Sequence, residues 1–146
     1  MRIIVQRVKR ASCIVDGNIV SSINKGYMLL VGLTHSDTID NVKELARKVN
    51  NLRIFSDEMG KMNLNIHDSN GEILSISQFT LYGDAKKGNR PSYINALGGD
   101  KATILYDEFN KKLRQYVHVE TGIFGADMCV NITNDGPVTI LLEREE

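Results

Sequence analysis

Several familiar kinds of chemistry are missing from this sequence. It has two cysteines, Cys13 and Cys129, far apart and at no metal-ligand spacing. Such a pair reads as two reduced thiols rather than a disulfide framework or a zinc site. The three histidines, His35, His67 and His118, are scattered. His118-Val119-Glu120 has the form of half a zinc deaminase signature, but no Pro-Cys-x-x-Cys follows it. There is no Gly-x-Ser-x-Gly, no Gly-x-x-x-x-Gly-Lys and no His-Glu-x-x-His, which removes the nucleophile elbow, the phosphate-binding loop and the zinc protease helix. No metal and no other cofactor is expected. Charge of one sign is missing too: Lys+Arg and Asp+Glu both number 18. A net charge of zero offers no general attraction for a polyanion, so any RNA contact must come from a local patch. The apolar runs are too short to span a bilayer, and the opening residues lack a signal peptide's apolar run and cleavage site. A cytoplasmic protein is the expectation.

What is present is ordinary globular material, 42% hydrophobic and 25% charged over 146 residues. That length suits one domain, 1–146, with a real core. Arg2–Val8 is β-branched and reads as a strand. Ala11–Val15 and Ile19–Ile23 flank Asp16-Gly17-Asn18, a hairpin signal because Gly and Asn tolerate positive φ. Tyr27–Leu33 is a nearly unbroken apolar run and reads as an interior strand. Asp37 or Thr38 then caps a helix in which Ile39, Val42, Leu45, Ala46, Val49 and Leu52 share a face. A short strand at 52–55 and a polar loop, Ser56–Gly71, follow. A second helix covers roughly Asp100–Tyr116, with Ala102, Leu105, Tyr106, Phe109, Leu113 and Tyr116 along one side. Val117–Thr121, Met128–Thr133 and Val138–Leu142 are strand-like, and 143–146 is a charged tail. Many strands, two helices and no regular alternation predict an α/β protein: a mixed, largely antiparallel sheet with both helices packed on it.

Two stretches carry chemistry. From Ile73 to Gly83 no residue is charged, and Ile73–Leu81 reads as a buried strand. Its second half places Ser77, Gln78 and Thr80 where a core strand favours Val or Ile. Alternation puts Gln78 and Thr80 on one face and Ser77 and Phe79 on the other. Burying such groups unpaired costs roughly 1–3 kcal/mol each, a burden that fits either a site or the satisfaction of neighbouring loops. Directly after it, Lys86, Lys87 and Arg90 form the one concentrated basic loop, suited to a phosphate backbone but equally readable as an exposed loop. The second stretch is Asn134-Asp135-Gly136-Pro137-Val138-Thr139, which is expected to end one strand and begin another. A Gly-Pro bond turns cis far more cheaply than a non-proline bond; read from these residues alone, a tight turn with trans proline serves as well.

Together, Ser77-Gln78-Phe79-Thr80-Leu81 and Asn134-Asp135-Gly136-Pro137-Val138-Thr139 resemble the D-aminoacyl-tRNA deacylase family, with its Ser-Gln-x-Thr-Leu and Asn-x-Gly-Pro-Val-Thr motifs. The resemblance extends to Met1–Val8 and to Gly122-Ile123-Phe124-Gly125-Ala126-Asp127-Met128, and so covers essentially the whole chain. It implies a curled β-rich sheet with two helices, a homodimer with the active site at the subunit interface, and hydrolysis of the ester in D-aminoacyl-tRNA. Ser77, Gln78, Phe79 and Thr80 would be catalytic, the turn at Phe79-Thr80 supplying N–H donors for the oxyanion. Thr80 would either attack directly or position water and the ester. Gly136 and Pro137, with Phe124 and Met128, would bind substrate and refuse the L form, the Gly-Pro of one subunit reaching into the other's site. Glycine has no side chain to exclude, so glycyl-tRNA should be partly accepted. Lys86, Lys87 and Arg90 would meet tRNA. The alternatives are a non-catalytic tRNA-binding module and an esterase for small D-amino acid esters; no membrane or DNA partner is expected.

Overall fold

The computed structural model describes residues 1–144; Glu145 and Glu146 of the expected charged tail lie outside the described residues. The fold is organised around one long strand, β1 (Arg2–Val15). Asp16 and Gly17, both at positive φ, turn it back antiparallel as β2 (Asn18–Ile23). The first half of β1 pairs with β3 (Gly26–Gly32), antiparallel from Arg2↔Gly32 to Val8↔Gly26. Helix α1 (Ile39–Asn51) follows, and Thr38 caps it: its side chain accepts from the Asn41 N–H, and the Asn41 side chain accepts from the Thr38 N–H. Two short strands, β4 (Phe55–Ser56) and β5 (Met62–Leu64), pair with each other. Then β6 (Glu72–Ser77) returns to the main sheet, parallel to β3. Helix α2 (Gly99–Leu113) leads to β7 (Val119–Thr121), parallel to β6. The final strand, β8 (Cys129–Glu143), runs antiparallel along nearly all of β1.

The order is therefore β2-β1-β3-β6-β7 with β8 on β1, a mixed sheet that curls until β2 approaches β6 and β7. Side-chain alternation sends the sheet into two cores. Tyr27, Leu29 and Val31 of β3, with Ile3 and Val5 of β1, meet Val42, Ala46, Val49, Phe109 and Leu113 of the helices. Met28 of β3 instead faces into the curl with Val8, Cys13, Leu74 and Ile76. A sheet covered on both faces explains the unbroken apolar run of β3.

Several expected boundaries move. Arg2–Val8 and Ala11–Val15 are one strand, because Lys9 and Arg10 break nothing and simply face solvent. Of the expected strands at 128–133 and 138–142, all but Met128 likewise join in the single strand β8. The Gly-Pro segment does not end it: Gln6 pairs with Thr139 and Val8 with Asn134, so Asp135, Gly136, Pro137 and Val138 stand against Arg7 alone as a bulge. The expected strand Ile73–Leu81 stops at Ser77, and Phe79–Tyr82 is a 3-10 turn. Gln78 and Thr80 thus share no strand face, and the polar trio is not buried: Ser77 and Gln78 are half-buried and Thr80 exposed. Strand β5 occupies part of the expected polar loop, α2 ends before Tyr116, and Ile39 sits at the exposed end of α1.

Candidate active site

The junction of β6 and the 3-10 turn opens onto a cleft of about 360 Å³. Val31, Leu33, Ile76, Leu97, Ala102 and Tyr106 make its apolar walls; Ser77, Gln78 and Phe79 form one rim and residues 124–128 the other. The strand exit is pinned by the Gln78 N–H, which donates to the Val31 carbonyl at 2.7 Å. Within the turn, Leu81 N–H donates to Gln78 O at 3.3 Å and Gly83 N–H to Thr80 O at 2.9 Å. The N–H groups of Phe79 and Thr80 precede the first bond of the turn and have no hydrogen-bond partner among the described residues. Phe79 lines the cleft and Thr80 follows it outside the lining residues; two adjacent donors without a partner suit developing negative charge on an ester oxygen.

Beside these donors, Gln78 Nε2 donates to the Thr80 hydroxyl oxygen, occupying one of that oxygen's two acceptor positions. Tyr106 forms part of the wall. Its hydroxyl donates to the Ser75 carbonyl at 2.8 Å, and burial pushes its pKa up, so it stays a neutral phenol. Phe124 lies over it, with ring centroids 5.8 Å apart. Met128 lines the cleft beside Asp127, the carboxylate among the lining residues. Tyr106 was legible in the sequence as a core position of α2, but nothing in the helical spacing marks it as a cleft wall as well.

Other expected site residues lie elsewhere. Gly136 and Pro137 do not line this cleft within the chain. They occupy the β8 bulge, joined by a cis peptide bond. Arg7 holds the bulge: its Nε donates to Asp135 O at 3.1 Å and its Nη1 to Ile54 O at 2.6 Å. The sequence reading missed Arg7, whose place inside a strand gives no such signal. Lys86, Lys87 and Arg90 are exposed on a hairpin closed by two bonds between Asp84 and Ser92, both 2.8 Å. Cys13 and Cys129 come close on paired strands, but Cys13 is opposite Val130 and Ile14 opposite Cys129. Directly opposed residues share a face, so the two thiols point to different faces. Among the described residues no three His, Cys, Asp or Glu side chains gather as a metal site, and no helix is long and apolar enough to cross a membrane.

The fold and site define a small α/β protein with a curled sheet, in which a strand end carrying free N–H donors adjoins a cleft of mixed polar and apolar lining. Comparison with known proteins narrows the class. The family model for D-Tyr-tRNA(Tyr) deacylase matches residues 4–143. A D-aminoacyl-tRNA deacylase of Clostridium perfringens is 55% identical, the match covering 100% of this chain and 99% of that one. One of Bacillus velezensis is 52% identical, with 100% of both chains covered. Among solved structures, c-Myc DNA Unwinding Element Binding Protein superposes with a TM-score of 0.94 at 41% identity over 100% of both chains. A probable eukaryotic D-amino acid tRNA deacylase, 16% identical over 97% of both, shares the fold with a TM-score of 0.85. The chain belongs to the D-Tyr-tRNA(Tyr) deacylase family.

Proposed function

We propose that the protein hydrolyses the ester of D-aminoacyl-tRNA, releasing the D-amino acid and tRNA, as a chiral proofreading step of translation in the cytoplasm. The observation that carries this reading is the pair of unpartnered N–H groups of Phe79, which lines the cleft, and its neighbour Thr80, in a chain of this family. The substrate ester is activated and has a free 2′-hydroxyl beside it. An oxyanion hole plus positioning then accounts for catalysis without a charged nucleophile: each donor contributes roughly 10²–10³-fold, and alignment adds more. Ser77 and Gln78 shape the strand exit and the terminal adenosine site, and Thr80, held by Gln78, positions water and the ester rather than attacking it.

Chirality is assigned to the Gly136–Pro137 bulge, with Phe124 and Met128 shaping the acyl side of the cleft. The bulge lies outside the cleft of its own chain, which supports a second copy supplying it in a homodimer. A filter acting on the side-chain direction leaves glycyl-tRNA partly accepted. The Lys86, Lys87 and Arg90 hairpin carries the tRNA backbone. The DNA element in one structural neighbour's name belongs to that protein; a formal net charge of zero gives this chain no general attraction for duplex DNA.

The test is a paired deacylation assay with D-tyrosyl-tRNA and L-tyrosyl-tRNA. Rapid loss of the D ester alone is expected. Equal loss of both would keep the esterase and remove the Gly136–Pro137 filter. Loss of neither, with tRNA bound, would leave a binding module.

A further inference from the structure

A second exposed ring stands beside Phe79, and ester hydrolysis at the cleft makes no use of it. Tyr93 follows the Asp84–Ser92 closure of the basic hairpin, and its ring meets that of Phe79 edge-on, centroids 5.2 Å apart at 68°. Phe79 is 55% exposed and Tyr93 42%. Two large rings left open to water side by side mark a contact surface.

The rings are also held in place. The Tyr93 ring packs closely on the end of the 3-10 turn: a Cβ at Gly83 would lie 3.0 Å from Tyr93 Cε1 and from the Thr80 carbonyl oxygen, a tight contact that glycine avoids. The segment beyond is pinned as well. Thr34 Oγ1 donates to Asn95 O at 2.6 Å, Ala96 N–H donates to Tyr93 O at 3.0 Å, and Thr34 bridges to Ala96. A ring ordered before binding loses little entropy when a ligand covers it. The charge around it is mostly positive: residues 84–97 contain Lys86, Lys87 and Arg90 against the single carboxylate of Asp84. Lys86 and Asn95 line one hollow of about 320 Å³, with the Asp84 carboxylate at its edge accepting from the Lys86 N–H.

We propose that the Phe79–Tyr93 pair is a stacking platform for the nucleobase just 5′ of the terminal adenosine, in the unpaired 3′ end of the substrate. The hairpin cations then face the phosphates of that strand. An unpaired base stacks on an aromatic face whatever its identity, with cations tracking the backbone. Phe79 joins the two places: its N–H lies at the ester site and its ring forms the platform edge. A cationic hairpin next to two rings fits a polyanion carrying flat bases better than an apolar peptide. The proposal rests on the deacylase reading above, so its test has an arm that does not require hydrolysis.

The experiment compares the full chain with Tyr93→Ala and Tyr93→Phe on D-tyrosyl-tRNA and on D-tyrosyl-adenosine, the same ester without the rest of the strand. For Tyr93→Ala, the ratio of kcat/KM on tRNA to kcat/KM on the adenosine ester falls about tenfold, mostly through KM; Tyr93→Phe keeps the ratio. Tenfold corresponds to about 1.4 kcal/mol, within the range of one base on one ring. Equal losses on both substrates, or no loss on tRNA, overturn the platform. The second arm measures binding of uncharged tRNA with its 3′ end intact or trimmed back to the last base pair. The unaltered protein prefers the intact end, and Tyr93→Ala loses the preference; equal binding by the unaltered protein overturns the proposal. Hydrolysis of neither ester, with that preference present and lost in Tyr93→Ala, supports the platform and sinks the deacylase reading.

Discussion

Phe79 brings two separable things to the site, a backbone N–H and a ring. It opens the 3-10 turn directly after Gln78, whose φ of −145° and ψ of 81° are compatible with a following proline. Phe79→Pro therefore deletes the donor with the turn preserved, and Phe79→Ala deletes the ring with the donor preserved. On D-tyrosyl-adenosine we expect Phe79→Pro to fall about 10²–10³-fold below Phe79→Ala in kcat; similar rates for the two would count against the oxyanion role. Thr80→Ala keeps its N–H and is expected to retain deacylation, whereas complete loss with unchanged binding would identify a nucleophile. Tyr106 makes a pH-dependent contribution. Burial raises its pKa in the folded state, against hydrogen bonds to Ser75 and Asn110 that lower it. The folded protein then holds this proton more tightly than the unfolded chain, where tyrosine titrates near about pH 10. The associated stability is full below that value and is lost as pH climbs through it toward the folded pKa. Tyr106→Phe should cost about 1 kcal/mol at neutral pH through the lost Ser75 bond. Its stability, followed by denaturant titration, should then decline less steeply in alkali than that of the parent.

At the scale of elements, the 84–92 hairpin presents charge and the β6-to-turn junction presents donors. The hairpin is closed by backbone bonds at Asp84 and Ser92, and its exposed cations contribute nothing evident to the core. Changing Lys86, Lys87 and Arg90 together to Gln should leave the thermal midpoint within a few degrees. It should weaken D-aminoacyl-tRNA hydrolysis and flatten the salt dependence of KM, by up to about three phosphate contacts' worth of slope. D-tyrosyl-adenosine hydrolysis is the control. An unchanged salt slope on tRNA would separate the hairpin from RNA. The β8 bulge is the other element of the proposed site. Four residues, Asp135 to Val138, stand against Arg7, and that arginine ties the bulge to Ile54 as well as to Asp135. A bulge re-aims a strand locally while the ladder continues on both sides, so β8 can display Gly136–Pro137 without interrupting its hold on β1.

At the scale of the whole molecule, the cleft and the bulge belong to different regions of one chain. None of the described residues on β8 is fully buried, and Leu141 is 53% exposed. A second copy would cover that surface and bring a Gly136–Pro137 step to each cleft. Discrimination between D- and L-tyrosyl-tRNA should then depend on protein concentration. As dilution produces monomer, measured by light scattering on the same samples, the D-to-L ratio should fall toward one. A ratio that holds steady while the protein dissociates would mean that the filter acts within one chain.

The apolar run of β3, the N-terminal cap and apolar face of α1, and the hairpin at Asp16-Gly17 were all legible in the sequence, because each depends on neighbours within a few residues. So were the two motif stretches, since polar side chains amid apolar ones and a Gly-Pro pair stand out locally. Sequence alone did not determine that Ser77 ends its strand, because that exit is fixed by the Gln78 bond to Val31, 47 positions away. Nor did it determine that β8 continues through Gly136–Pro137, which depends on an unbroken β1 beside it and on Arg7 bonding to both Asp135 and Ile54. Nothing local singled out Tyr93, and only the fold brings it against Phe79. Local periodicity decides which elements form; long-range pairing decides where they stop and which of their groups are left facing a ligand.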